Sequence, residues 1–249
     1  MTAQAGHAPG AVRPSQKAVR TLTDVVQPVV RLRSAVCLLG RFPALAGVDL
    51  DVAAGEVLLL SGGNGAGKTT LLRLIAGLVP LHTGEAEVLG RDLSTDRRSH
   101  RRELALVGHD TACYDDLTVL ENATFAARAA GSTADAAREA LDRVGLTRLA
   151  DVRHGRLSAG QRRRLSLAIA FARDPRLLLL DEPHAGLDAE GRAVLDEQLS
   201  HAAGDGRTVL LASHELDRAR ALATREVVLT GGQAHGAAAE PASKERTPA

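Results

Sequence analysis

Residues 55–78 read GEVLLLSGGNGAGKTTLLRLIAGL, and three kinds of local structure succeed one another within them. The apolar run at 57–60 has the character of a strand buried on both faces, as at the centre of a parallel sheet. A glycine-rich stretch follows, in which the backbone can turn sharply with its N–H groups inward. Apolar residues at helical spacing come next, so a helix opens at Lys68 and stops near Pro80. GGNGAGKT (62–69) fits G-x-x-x-x-G-K-[ST] after a strand and at the opening of a helix, the context that this pattern requires. Gly62, Gly63, Asn64, Gly65, Ala66 and Gly67 then form a cradle of N–H donors at the positive end of a helix. Lys68 supplies a compact charge to the β- and γ-phosphates, Thr69 offers a hydroxyl to Mg²⁺, and Thr70 follows on the same helix. The lysine is informative in itself. The only lysines are Lys17, Lys68 and Lys244, and every other basic side chain is arginine. A chain that otherwise uses Arg keeps the slim, flexible amine at this one place in its body.

Outward from this loop the pattern alternates between strands and helices. VVRLRSAVCL (29–38) and LAGVDLDV (45–52) have period-two alternation. EAEVLG (85–90), ELALVGH (103–109), PRLLLLDEP (175–183), RTVLLAS (207–213) and REVVLTGG (225–232) read as further strands. Residues 118 to about 173 read as helices. Strand–helix units, a helical insert of about 110–175 and more strand–helix units define an α/β class. Residues 1–25 and 233–249 are rich in Ala, Pro, Gly and polar residues and are expected to be disordered tails, leaving one domain over 26–232.

Composition narrows the function. The chain has 249 residues, 45% of them hydrophobic and only 2% aromatic, so an aliphatic core is expected. A formal net charge of +1 offers no argument for nucleic acid or an acidic membrane surface. Cys37 and Cys113 lie far apart and have no metal or redox spacing, as expected of a reduced cytosol. No apolar run approaches the roughly 20 residues that span a bilayer, and the N-terminus has no signal-peptide apolar region. A membrane role would need a partner.

Three further stretches carry chemistry. RLLLLDEP (176–183) is a buried strand with Asp181 at its carboxyl end, where ligands bind in open α/β sheets. Asp181 can hold Mg²⁺ through water, and Glu182 can orient or deprotonate an attacking water. LSAGQRRRLSLAIAFA (157–172) begins with Ser158 as helix cap and Gln161 completing a capping box, and an apolar stripe runs through Leu165, Leu167, Ile169 and Phe171. A helix start with bare Gly160 is also an anion site, able to grip a γ-phosphate bound to a second subunit. LALVGHD (104–110) ends a strand on His109. Metal ligation, base catalysis and a plain loop role are all open to that residue, but no second His, Cys or acid stands at ligand spacing.

Taken in order, these motifs resemble those of the ABC ATPases. LSAGQ (157–161) resembles the signature LSGGQ, with Ala159 for the first glycine. It lies between the loop at 62–69 and the acidic strand at 177–182. AGLD (185–188) resembles the D-loop, with Asp188 in its usual place. LLASHELD (210–217) resembles the H-loop, making His214 the histidine that contacts the γ-phosphate. His109 takes the place of the Q-loop glutamine, where it would sense the nucleotide state. The resemblance covers residues 29 to 231. It implies a P-loop ATPase with a RecA-like core, an antiparallel β subdomain and a helical insert, using ATP and Mg²⁺. It further implies cassettes paired head to tail, as a homodimer or heterodimer, with Leu157, Ser158, Ala159, Gly160 and Gln161 reaching the partner's ATP. Glu182, His214 and His109 would act in hydrolysis. Transmembrane subunits would form the path, placing the chain in the cytoplasm, peripheral on the inner face of the cell membrane. LVGHDTACYDDLTVLEN with LSAGQRRR is similar, within the family, to the ATPase subunit of the cytochrome c maturation haem-exporter group. A soluble single-cassette ATPase acting in assembly is the alternative. An aromatic often stacks on adenine near the first strand; here Leu39 takes that position and Phe42 is the nearest ring.

Overall fold

The computed structural model describes residues 27–108 and 113–236. In chain order, the first half holds strands β1 (Val30–Leu39), β2 (Phe42–Val52) and β3 (Val57–Ser61), helix α1 (Lys68–Ile75), then β4 (Thr83–Val88), β5 (Arg91–Asp92) and β6 (Leu104–Val107). Helices α2 (Val119–Ala130), α3 (Ala134–Arg143) and α4 (Ala159–Ala172) follow. The chain then alternates through β7 (Leu177–Asp181), α5 (Ala189–Gly204), β8 (Thr208–Ala212), α6 (Leu216–Leu222), β9 (Arg225–Thr230) and β10 (Gln233–His235).

Two sheets organise these elements. One is antiparallel, in the order β2-β1-β4-β5; the other runs β10-β9-β3-β8-β7-β6. In the second, β9, β3, β8, β7 and β6 are parallel neighbours, and β10 joins β9 antiparallel at the edge. The continuously apolar segments became the buried strands: every residue of β3, β7 and β8 is buried. Alternate side chains serve two cores, because successive residues of a strand point to opposite faces. Leu58, Leu60, Leu177, Leu179 and Leu210 pack with α1 and the antiparallel sheet, while Leu59, Leu178, Leu180, Val209 and Leu211 pack with the helical insert, α5 and α6.

Two expectations change. Residues 233–235, read as the start of a tail, form β10, with Gln233 opposite Thr230 and His235 opposite Val228. Helix α4 has no single stripe. Arg163, Leu165, Ser166, Leu167, Ala168, Ala170, Phe171 and Ala172 are buried while Ile169 is only half-buried. The helix lies between the sheet and its neighbours α2 and α3, so most of its circumference is covered. The tail residues 1–25 and 237–249 lie outside the described residues.

The end of α1 carries a pH-sensitive contact. His100, in a 3₁₀ turn at Ser99–Arg102, is fully buried, and its Nε2 lies 3.0 Å from the Ile75 carbonyl oxygen. That geometry calls for the neutral tautomer with the proton on Nε2. The buried Nδ1 has no hydrogen-bond partner for a second proton. Burial holds the His100 pKa below its ordinary value of 6.5, outweighing the Ile75 carbonyl, which favours the charged form. The unfolded chain therefore takes up this proton at a higher pH than the folded one. The stabilising contribution is complete above about pH 6.5 and is lost as pH falls from there through the folded pKa. Melting temperatures recorded from about pH 7 to about pH 5 are expected to fall more steeply for the parent than for His100→Gln; parallel curves would count against this linkage.

Candidate nucleotide site

The carboxyl edge of the parallel sheet gathers the chemistry. Leu60 of β3 is level with Ala212 of β8, which is level with Asp181 of β7. The segments leaving these strands therefore lie side by side: the glycine-rich loop after β3, Glu182 after β7 and His214 after β8. They line a cavity of about 420 Å³ together with Leu39, Phe42 and Ala44 of the antiparallel sheet. Asn64, Gly65, Ala66, Gly67, Lys68, Thr69 and Thr70 supply its floor. Gly62 and Gly63 do not line it, but their carbonyls accept hydrogen bonds from Lys68 Nζ at 2.7 and 3.1 Å.

Two glycines are required by contact as well as by conformation. A Cβ on Gly62 (φ 133°) would lie 2.2 Å from the Leu229 carbonyl oxygen, and one on Gly67 (φ 108°) would lie 2.7 Å from that of Ala44. The loop is thus pressed against β9 on one side and β2 on the other, which sets where its N–H groups point. Gly67 begins α1 without any side-chain cap, and no acid stands in the first turn. The starts of α2, α3, α4 and α5 are each capped by Thr118, Thr133, Ser158 and Asp188. Helix α1 alone among these leaves its first N–H groups to an anion from outside the chain.

The acidic side of the cavity divides into two roles. Asp181 is buried at the end of β7 and shares the cavity with the half-buried Thr69. A carboxylate and a hydroxyl are hard oxygen donors of the kind that Mg²⁺ takes with phosphate and water, which fits the metal. No group of three His, Cys, Asp or Glu that could hold a metal occurs among the described residues. Glu182 has a left-handed backbone (φ 49°), which costs a residue with a Cβ about 1–2 kcal/mol. Its N–H donates to the Ala212 carbonyl at 2.8 Å, and its Oε2 accepts from the His214 N–H at 3.0 Å. Its Oε1 has no hydrogen bond, and the His214 ring nitrogen Nε2 lies 3.4 Å from it. One carboxylate oxygen thus orients the side chain, while the other is buried without a hydrogen-bond partner. His214 is half-exposed over the cavity mouth. Phe42 and Leu39 face each other across the β1–β2 turn and both line the mouth, so either apolar surface is available to a base.

The other predicted residues lie elsewhere. Ser158 caps α4, accepting from the Gln161 N–H at 3.3 Å, while the Gln161 side chain accepts from the Ser158 N–H at 2.9 Å. Leu157, Ala159 and Gly160 complete that helix start, and none of the five lines the cavity. Asp188 does not line it either. It caps α5 through the Gly191 N–H at 2.8 Å and accepts two bonds from Arg164 at 3.0 Å. The Gly191 bond and the Arg164 charge hold the Asp188 carboxyl below the usual range. His109 lies outside the described residues. Arg163, which sequence reasoning passed over, binds four carbonyls around the acidic strand end. Its signal was an arginine at helical spacing from Ser166, Leu167 and Ala170, all of them buried in α4.

A loop of this kind at the carboxyl edge of a parallel sheet, with an acid pair at the end of a strand two places away in the same sheet, is the arrangement expected of a P-loop nucleotide site. Comparison with known proteins narrows the class. Residues 45–185 match the family ABC transporter. Over 194 residues, 76% of the chain, it is 40% identical to ATP-binding cassette sub-family A member 7 of Mus musculus, of which it covers 9%. It is 39% identical to the sulfate/thiosulfate import ATP-binding protein CysA 1 of Rhizobium meliloti, covering 82% of this chain and 61% of that protein. It is 41% identical to the cytochrome c biogenesis ATP-binding export protein CcmA of Aromatoleum aromaticum, covering 76% and 89%. A dimeric structure of the ATP-binding cassette MJ0796, in a post-hydrolysis state bound to ADP and Pi, superposes with a TM-score of 0.77 at 26% identity, over 83% of this chain and 96% of that one. The chain belongs to the ABC transporter family, and its class is the ABC-type ATPase cassette. It spans about a tenth of the first relative and about three-fifths of the second. Among the described residues no helix is long and apolar enough to cross a membrane.

Proposed function

We propose that this chain is the ATP-binding and ATP-hydrolysing subunit of a membrane transporter, working with Mg²⁺ and powering translocation through transmembrane partner subunits. The observation that carries this reading is the single cavity shared by the uncapped start of α1, Lys68, Asp181, Glu182 and His214. Loop N–H groups and Lys68 bind the phosphates. Glu182 Oε1 takes a proton from the attacking water, and His214 approaches the γ-phosphate from the cavity mouth. Thr69 and Asp181 would hold Mg²⁺, which supplies positive charge against the phosphate oxygens. His109, beyond the end of β6, would sense the nucleotide from the Q-loop position.

The signature Leu157–Gln161 is outside this chain's own cavity, which supports completion of each site by a second cassette, in a homodimer or heterodimer. The dimeric relative supports the same arrangement. Such an assembly would sit in the cytoplasm, peripheral on the inner face of the cell membrane. Within the family we assign it to the haem-exporter group of cytochrome c maturation. LSAGQ, the histidine at 109 and the likeness to CcmA support that assignment. The test is to purify the tagged chain from solubilised membranes and identify the integral membrane subunit that accompanies it. A cytochrome c maturation subunit is the expected result. An importer's subunit would overturn the haem assignment. A complex lacking any integral membrane subunit would favour an assembly ATPase instead.

A further inference from the structure

Arg163 lies one turn into α4 and is buried, yet it forms no ion pair among the described residues. Among the described residues its guanidinium donates to four backbone carbonyls. Nε reaches Pro183 at 3.2 Å, Nη1 reaches Gly108, and Nη2 reaches both Asp181 at 3.0 Å and Glu182 at 2.6 Å. Burial pushes its pKa down, opposed by through-space attraction from the Asp181 and Glu182 carboxylates. Packing alone does not call for such a residue, because a buried cation is costly to desolvate and an apolar side chain would fill the same space. Its geometry serves a different need. The planar fork joins the ends of two adjacent parallel strands, β6 at Gly108 and β7 at Asp181.

The strand end that it holds is the strained one. Glu182 keeps its left-handed backbone with its N–H fastened to Ala212 and its carbonyl fastened to Arg163. The same helix that carries Arg163 begins at Ser158, five residues earlier. Helices move as rigid units, so a ligand that shifts the capped start of α4 shifts this guanidinium too. Arg164, the next residue, ties the helix to Asp188 and so to the start of α5.

We propose that Arg163 is a positioning residue through which the signature helix sets Glu182 for hydrolysis, an inference that rests on Glu182 acting as the base. The test uses the full-length chain, ATP binding and single-turnover hydrolysis. Arg163→Met is expected to lower the hydrolysis rate about 30-fold while ATP affinity stays within about threefold. Arg163→Lys, which keeps the charge but loses the fork, is expected to lose about tenfold. In a Glu182→Gln background the added Arg163→Met change is expected to alter the residual rate by less than about twofold, because a residue acting through Glu182 has nothing left to position. A merely structural role would add its full penalty in that background, and this result would overturn the proposal. A hydrolysis rate in Arg163→Met within about twofold of the parent, with Glu182→Gln slow, would overturn it while leaving the base assignment intact. Undiminished turnover in Glu182→Gln would overturn both. Should Arg163→Met fail to fold, Arg163→Lys in the same two backgrounds decides by the same criteria.

Discussion

Replacing Glu182 by glutamine is expected to slow ATP hydrolysis by about two to four orders of magnitude, the usual contribution of a positioned general base. ATP affinity should change little, because the phosphate-binding groups are the loop and Lys68 rather than this side chain. The glutamine keeps an oxygen that can accept from the His214 N–H, so the local structure survives while the basic lone pair at Oε1 is lost. ATP-bound protein should then accumulate, and in the proposed arrangement it does so as a dimer, measurable by size-exclusion chromatography with and without ATP. Turnover equal to the parent would remove Glu182 from the role of base. The choice between Asp181 and Glu182 rests on surroundings. Asp181 still belongs to the buried strand β7, whereas Glu182 leaves it through a left-handed backbone and is oriented by the His214 N–H through Oε2.

Lys68→Ala is expected to weaken ATP binding by about 10- to 100-fold, from the loss of charge-assisted hydrogen bonds worth about 1.5–3 kcal/mol. Lys68 is buried, and its amine donates to the Gly62 and Gly63 carbonyls. A bound phosphate therefore meets a charge already held in place. Lys68→Arg is expected to restore little, because the wider guanidinium does not fit a site shaped for a compact ammonium. Calorimetric titration with ATP checks both variants, and affinity close to the parent in Lys68→Ala would count against phosphate binding by this loop.

Much of the nucleotide site was legible because its determinants are local. The loop needs glycines, one lysine and a helix start within a few residues. Strands β3, β7 and β8 announce themselves as unbroken apolar runs because both their faces are covered. The capping box at Ser158 and Gln161 is likewise a matter of four consecutive residues. Strand β10 was not legible. Its three residues are polar or small, and they form a strand only because β9 offers a free edge. The stripe expected on α4 failed for a similar reason, since the sheet and two helices cover that helix almost all round.

The three arginines at 162–164 show where local reading ends. In the sequence they are equivalent. In the structure Arg162 bonds the carbonyls of Leu157 and Gly155, Arg163 grips four carbonyls at the sheet edge, and Arg164 binds Asp188. Helical rotation of about 100° per residue sends each toward a different neighbour, and those neighbours come from segments as far as 55 residues away. The amino-acid sequence by itself determined the phosphate loop, the acidic strand and the order of the motifs, because short-range patterns of glycine, charge and apolar spacing encode them. Tertiary structure alone decided that Glu182 leaves its strand with a left-handed backbone held by Ala212 and His214, and which arginine holds the strand ends. Those outcomes depend on the parallel pairing that sets the strand ends side by side and on the packing of α4 across them.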